Sequence, residues 1–191
     1  MLILAINSAE AACDIALVRN AAVLAERKEE MSRGQDGRLP GLVAELMAAA
    51  AVELADIDRL AVVTGPGSFT GIRIGVSFVR GLALALDIPA IGLSSLEAGL
   101  PPDMIGPARA ALPAQKRPPD RTWWTQELQQ GLGVTQIVEV AEHMLDMQDL
   151  ETATPRAAWA GLKAVGLSPD AYPPKPAYAR APEIHKPRPK P

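Results

Sequence analysis

Seven consecutive positions, Gly65-Pro-Gly-Ser-Phe-Thr-Gly71, hold three glycines, two hydroxyls and no charge, with Arg73 two residues further on. That composition suits one chemistry, the holding of an anion by backbone amides. Gly65, Gly67 and Gly71 free the backbone for conformations closed to other residues, and Pro66 fixes one φ. Ser68 or Thr70 can cap the first amides of a following helix, whose dipole favours negative charge. Spacing tests two phosphate loops. A Walker A loop places four residues between its glycines and then a lysine; here five residues separate Gly65 from Gly71, and Ile72 replaces the lysine. A dinucleotide-binding turn needs glycine where Thr70 stands. Both fail. For Gly65, Pro66, Gly67, Ser68, Phe69, Thr70, Gly71 and Arg73 two readings stay open: an anion corner, or a tight turn that launches a packed helix.

The elements around the turn are more definite. Residues 59–64 form an apolar run ending in turn residues, the pattern of a buried strand. Beyond the turn the pattern predicts a helix to Leu86. Ile72, Gly75, Val76, Val79, Leu82, Ala83 and Leu86 share one face, and Ile74, Phe78, Gly81 and Ala85 form a second apolar face beside it. Only a narrow stripe of Arg73, Ser77 and Arg80 is polar. One face suffices to cover the helix's own sheet, so the second needs another layer or a partner.

On the N-terminal side, residues 2–7, 12–18 and about 22–31 predict three strands with short connections, an antiparallel meander. A first helix is expected over residues 38–54, with Pro40 in its first turn. Leu39, Leu42, Val43, Leu46 and Ala50 share one of its faces; Gly41, Ala44, Ala48 and Ala51 line the other, where a second helix could approach closely. Residues 88–93 predict a fifth strand, and Ser94 with Glu97 makes a capping signature for a short helix. The order βββαβαβα implies a mixed five-stranded sheet with helices against it. Proline and glycine at 101–107 mark a domain boundary. Beyond it, residues 108–112 and 121–128 predict a hairpin turning over 116–120, with a third strand at 135–140. Helices are expected at 141–150 and 155–165, the latter with Thr154 as N-cap and Pro155 as first residue. Residues 172–191 carry seven prolines and five Lys or Arg, a composition for an extended tail: a disordered end, a strap over the chain's own surface, or a basic arm for a partner or RNA. The domains are thus 1–100, a reduced second domain 101–171, and the tail 172–191.

The chain of 191 residues can bury a substantial core, and its formal net charge of -3 gives no general pull toward nucleic acid. One cysteine, Cys13, excludes an internal disulfide; it sits in a predicted strand and is expected to be a buried structural thiol. No run approaches the length of a membrane span and Met1-Leu-Ile-Leu-Ala-Ile is read as a strand, so a cytoplasmic protein with no membrane contact is expected.

Gly65-Pro-Gly-Ser-Phe-Thr-Gly-Ile-Arg-Ile-Gly75 resembles the signature of the TsaB (YeaZ) family, which serves bacterial tRNA threonylcarbamoyladenosine synthesis. Met1-Leu-Ile-Leu-Ala-Ile-Asn-Ser8 is similar to the family's first strand, and Pro176-Ala-Tyr-Ala-Arg-Ala-Pro-Glu-Ile-His-Lys186 to its C-terminal tail. The resemblance covers residues 1 to about 100 well and the middle poorly. It implies an α/β fold: an actin-like ATPase (ribonuclease-H-like) domain with a mixed five-stranded sheet, plus a shortened second domain.

The resemblance also implies a non-catalytic subunit that binds and activates TsaD, the transferase acting on adenosine 37 of tRNA, through a helix bundle. The residues assigned to that partner face are Leu39, Leu42, Val43, Leu46, Ile74, Phe78, Gly81 and Ala85. TsaE joins the larger complex, the chain alone forms a homodimer, and tRNA is contacted indirectly. No cofactor of its own is expected, though a nucleotide at the partner interface is compatible. TsaD's metal site needs paired histidines; His143 and His185 are far apart, so no metal is expected. Actin-like kinases carry an aspartate where Asn7 stands, and the family's Asp-Ala-Arg stretch is Pro113-Ala-Gln115 here; both departures argue against phosphoryl transfer. Two alternatives remain: a nucleotide-binding enzyme of the actin-like superfamily using residues 65–71, and an inactive metallopeptidase-like or chaperone-type protein.

Overall fold

Six consecutive buried residues, Leu2–Asn7, make the central strand β1 of the computed structural model, which describes residues 1–115 and 121–178. β2 (Ala12–Arg19) pairs antiparallel with β1, and β3 (Ala22–Glu30) antiparallel with β2, the expected meander. On the other side β4 (Arg59–Val63) pairs parallel with β1, and β5 (Ala90–Leu93) parallel with β4. The five strands lie in the order β3-β2-β1-β4-β5. β1 is apolar at every position but Asn7 because helices cover both of its faces.

Helix α1 (Gln35–Ala49) and helix α2 (Phe69–Leu86) pack on one face. α1 begins three residues before the expected start. Gly34, at φ 84°, turns the chain into the helix, and its carbonyl accepts the first helical bond from Arg38 N–H. Pro40 therefore lies inside the helix rather than in its first turn, at an exposed position. The helix also stops earlier than residue 54, since Ala51 enters the left-handed region at φ 51°. Arg38 and Arg27 join β3 to α1 through Glu29 and Glu45, with N–O distances of 2.6–2.8 Å. α2 spans 18 residues with a mean hydropathy of 1.5, long and apolar enough to cross a membrane by length and composition, which its two arginines had hidden. Gly71, Ile72, Gly75, Val76 and Val79 nevertheless form a face buried on the sheet.

The second sheet is built on a hairpin of β6 (Pro107–Gln115) and β7 (Thr122–Gln129), extended by β8 (Leu132–Gly133), β9 (Val138–Ala141) and β10 (Glu151–Thr152). The turn expected at 116–120 lies outside the described residues. The third strand falls at Val138–Ala141 rather than 135–140. No helix occupies 141–150: two single 3₁₀ turns stand there, and Asp146 breaks the run by capping Gln148 N–H at 3.0 Å.

Helix α3 (Ala157–Ala164) returns to the first sheet, on the face opposite α1 and α2, so the first domain does not end near residue 100. Its N-cap residue is Arg156, not Thr154. The carboxylate of Asp14 accepts the Ala157 N–H at 2.7 Å, so the helix start is capped from β2. Ala157, Ala160, Gly161 and Ala164 are buried, and a Cβ on Gly161 would stand 2.8 Å from Val18 and 3.1 Å from Ala5. Small residues on both partners bring this helix against the sheet.

A polar junction joins the two sheets. The buried Glu97 carboxylate accepts Ser94 N–H at 2.7 Å and Gly133 N–H at 2.8 Å, and Ser94 Oγ caps Glu97 N–H in return, the reciprocal pattern expected from Ser94 and Glu97. The turn it opens is only Glu97–Gly99. Lys163 Nζ donates to the carbonyls of Glu97 at 2.5 Å and Gly131 at 2.9 Å. Burial pushes the Lys163 amine down to about 8, partly offset by the charge of Glu97.

Two outcomes are expected. Gly161→Val should destabilise the chain by about 1–3 kcal/mol, since α3 cannot back away without losing its contacts; urea midpoints measure this. The unfolded chain holds the Lys163 proton to about pH 10.5 and the folded chain only to about pH 8, so this group's contribution to stability rises with pH across that window. Wild type should therefore gain on Lys163→Met as pH climbs from about 8 to about 10.5. A constant difference would contradict the assignment.

Candidate functional site

The glycine turn is closed upon its own chain. A Cβ on Gly67 would collide with the carbonyl of Ala9, and one on Gly71 with the carbonyl of Ser8. The link between β1 and β2 thus lies directly against the turn. Ser68 N–H donates to Ala9 O at 2.6 Å, and Ser8 Oγ to Gly71 O at 2.8 Å. Gly65 alone needs the left-handed region, at φ 104°, and its carbonyl accepts Ser95 N–H at 2.7 Å. Of the two N-cap candidates Ser68 is used: its Oγ accepts Gly71 N–H at 3.2 Å. The amides of Ser68 and Gly71 are therefore engaged internally, and an anion at the start of α2 would have to displace them.

Among the described residues Arg73 pairs with no carboxylate. Its guanidinium lies 3.8 Å above the Phe69 ring and 5.7 Å from that of Tyr178, and its Nε donates to Tyr178 Oη at 2.9 Å. Tyr178 ends a strap over residues 172–178. Gly92 N–H donates to Tyr172 O at 2.8 Å and Ala177 N–H to Thr64 O at 2.8 Å, tying the strap to β5 and the end of β4. Of the three readings for the tail, 172–178 follow the strap; residues 179–191, with His185, lie outside the described residues.

Asn7, at the position where an actin-like kinase would hold aspartate, is 2% exposed. Its side chain accepts Ala9 N–H at 3.0 Å and donates to Pro155 O at 3.2 Å. Asp14 stands beside it in register, its carboxyl raised above the usual range, mainly by burial and against the pull of Ala157 N–H. This pair holds the start of α3. Cys13 is fully buried, and burial followed by the charge of Glu29 pushes its thiol up, as befits an inert structural residue. His143 is exposed on a 3₁₀ turn. Among the described residues no group of three or more His, Cys, Asp or Glu could hold a metal.

The residues assigned to a partner face divide. Leu39 and Leu42 are fully buried, and Val43 and Leu46 are 4% exposed; they belong to the chain's own core and offer a partner almost no surface. The regular apolar stripe of an amphipathic helix faces its sheet, and the small-residue stripe faces out. Pro40, Gly41, Ala44 and Ala48 are exposed on α1. On α2, Ile74 and Phe78 are half-buried, Gly81 and Ala85 exposed, and Leu84 is 86% exposed. Between the helices runs an apolar groove of about 490 Å³, walled by Pro40, Ala44 and Met47 on one side and Phe78 and Leu82 on the other. A second hollow of about 450 Å³ continues it toward the start of α2, past Phe69, Arg73 and Ile74. Sequence periodicity found α2's outward face; for α1 the signal was the stripe of Gly41, Ala44 and Ala48.

A cleft of about 470 Å³ separates the glycine turn from the second sheet, lined by Ala9, Gly67, Lys28 and Glu30 on one wall and Leu112 and Trp124 on the other. Lys28 is paired with Glu30 at 2.9 Å.

The sequence has known relatives. A family profile described as "TsaD: tRNA N6-adenosine threonylcarbamoyltransferase" matches residues 23–113. The tRNA threonylcarbamoyladenosine biosynthesis protein TsaB of Escherichia coli (strain K12) is 42% identical over 96 residues, covering 50% of this chain and 41% of the relative. The protein of the same name from Bacillus subtilis (strain 168) is 38% identical over 97 residues, 51% of this chain and 42% of the relative. The matches thus span well under half of these relatives' own length. The solved structure of YeaZ from Pseudomonas aeruginosa superposes with a TM-score of 0.69 at 23% identity, over 93% of this chain and 99% of that one. That likeness establishes the fold, second sheet included.

The turn and the open helix face should respond differently to the same change. Gly71→Ala should destabilise by about 1–3 kcal/mol through the Ser8 carbonyl. At Gly81, where an added Cβ meets nothing within 4 Å, Ala should be neutral or stabilise by up to about 1 kcal/mol. Urea midpoints of the two variants decide.

Proposed function

We propose that this chain, similar over about half its length to TsaB proteins, is a TsaB-family non-catalytic subunit in tRNA N6-threonylcarbamoyladenosine synthesis, pairing with and activating TsaD. The observation that carries this reading is the apolar surface running across α1 and α2 around the groove at Ala44, Met47, Phe78 and Leu82. Large exposed apolar residues such as Leu84, beside exposed small ones, suit two helices of a partner packing closely against these two. By two-fold symmetry the same face would serve a homodimer when no partner is present.

A non-catalytic role is supported by what the candidate catalytic positions do instead. Asn7 and Asp14 hold the start of α3, and the Ser68 amide holds the β1–β2 link. In this reading TsaE docks on the assembled pair, any nucleotide belongs to the interface, and the work takes place in the cytoplasm, where tRNA is modified.

The test is co-purification with TsaD. Gly81→Leu and Ala44→Arg add bulk to the open face without touching the core, so neither should lower the urea midpoint while each weakens pairing at least about tenfold. Retention of full pairing by both variants would move the interface elsewhere.

A further inference from the structure

We propose that Arg73 and Arg80, on the α2 edge of the open helix face, receive carboxylates of TsaD. Charge as well as apolar contact then fixes how the partner lies; the inference rests on the pairing role proposed above. Going round α2 from Gly81 in the middle of the face, Ser77 and Leu84 come next, then Arg73 and Arg80, all of them exposed. The two arginines are seven residues apart, so they share one line along the helix at a spacing of about 10 Å. Leu84 stands beside that line, and a partner that covers it reaches the arginines.

Neither cation is satisfied within the described chain. No carboxylate pairs with either, and the Arg80 side chain makes no hydrogen bond there. Arg73 is held in place by the Phe69 ring below it and by its Nε bond to Tyr178 Oη at 2.9 Å. Both terminal nitrogens of its guanidinium are left over, the fork that a carboxylate accepts in pairs. Asp36 lines the same hollow and makes no ion pair with it. The opposite edge, where α1 meets β3, is settled internally: Arg38 and Arg27 hold Glu29 and Glu45 at 2.6–2.8 Å. Two unpaired cations bordering an apolar face call for anions on whatever covers that face. A second copy of the chain brings the same two cations, which favours a different protein as the occupant.

The experiment is surface plasmon resonance of the full chain on immobilised TsaD of the same organism, at about 50 mM and about 500 mM salt. Light scattering of each variant alone runs beside it. At the lower salt Arg73→Glu and Arg80→Glu should each weaken pairing about fivefold or more, mainly through slower association, and at the higher salt less than about twofold. Arg73→Lys keeps the charge and loses the fork, so its affinity should fall between wild type and Arg73→Glu. Arg80→Glu should keep the wild-type urea midpoint, which separates lost pairing from lost folding. Wild-type affinity in both charge-reversed chains overturns the proposal. If Gly81→Leu still loses pairing in that case, the open face stands and only its charged edge is withdrawn; if Gly81→Leu also pairs normally, the pairing face falls with it. A loss equal at both salts overturns the proposal too. So does a loss confined to the homodimer with TsaD pairing intact, which would assign the carboxylates to a second copy.

Discussion

The contact on which the structure depends is backbone against backbone: the glycine turn after β4 seated on the Ser8–Ala9 link after β1. Gly67 and Gly71 lie so close to the Ala9 and Ser8 carbonyls that neither tolerates a side chain. The contact fixes where α2 starts, and Ser68 then caps it. Once the start is set, Ile72, Gly75, Val76 and Val79 fall on the sheet and Ile74, Phe78 and Gly81 are turned away from it. The outward face follows from how the helix is launched. The same contact engages the Ser68 amide, and the Ser68 hydroxyl takes that of Gly71.

A second set of constraints acts over long sequence separations. Asn7 and Asp14, adjacent in the first sheet, receive Pro155 and Ala157. Arg59 reaches the carbonyls of Ala164 and Leu167 at 2.7 and 2.8 Å, at the far end of the same helix. Lys163 and Glu97 then attach the second sheet. The place beside Asn7 and Asp14 is filled by the chain's own helix start. Polar side chains at the middle of the fold have become joints.

Much of this was legible in the residues. The meander and the Ser94–Glu97 cap followed from local pattern, because each depends on neighbours close in sequence; the parallel pairing of β1 with β4 joins residues far apart and did not. Helix α3 was expected as a helix but not as a layer on the first sheet. A run of alanines around Gly161 is equally compatible with any close neighbour, and its partners, Ala5 and Val18, lie over 140 positions away. On α1 the apolar stripe of Leu39, Leu42, Val43 and Leu46 belongs to the chain's own core, not to a partner face. Periodicity gives a face and not its occupant, and the shorter apolar side chains turned out to mark the outside. Arg73 lies over Phe69, one helical turn before it, and donates to Tyr178, a contact between distant positions that leaves no trace in local spacing.

Among the described residues the apolar surface of α1 and α2 is uncovered, and the account stands on a partner covering it. Light scattering of the purified chain, alone and mixed with TsaD of the same organism, tests this most directly. The account predicts a homodimer alone that converts to a one-to-one heterodimer on mixing. A monomer whose mass is unchanged by TsaD would contradict it and would return attention to the cleft between the glycine turn and Trp124 as the working site.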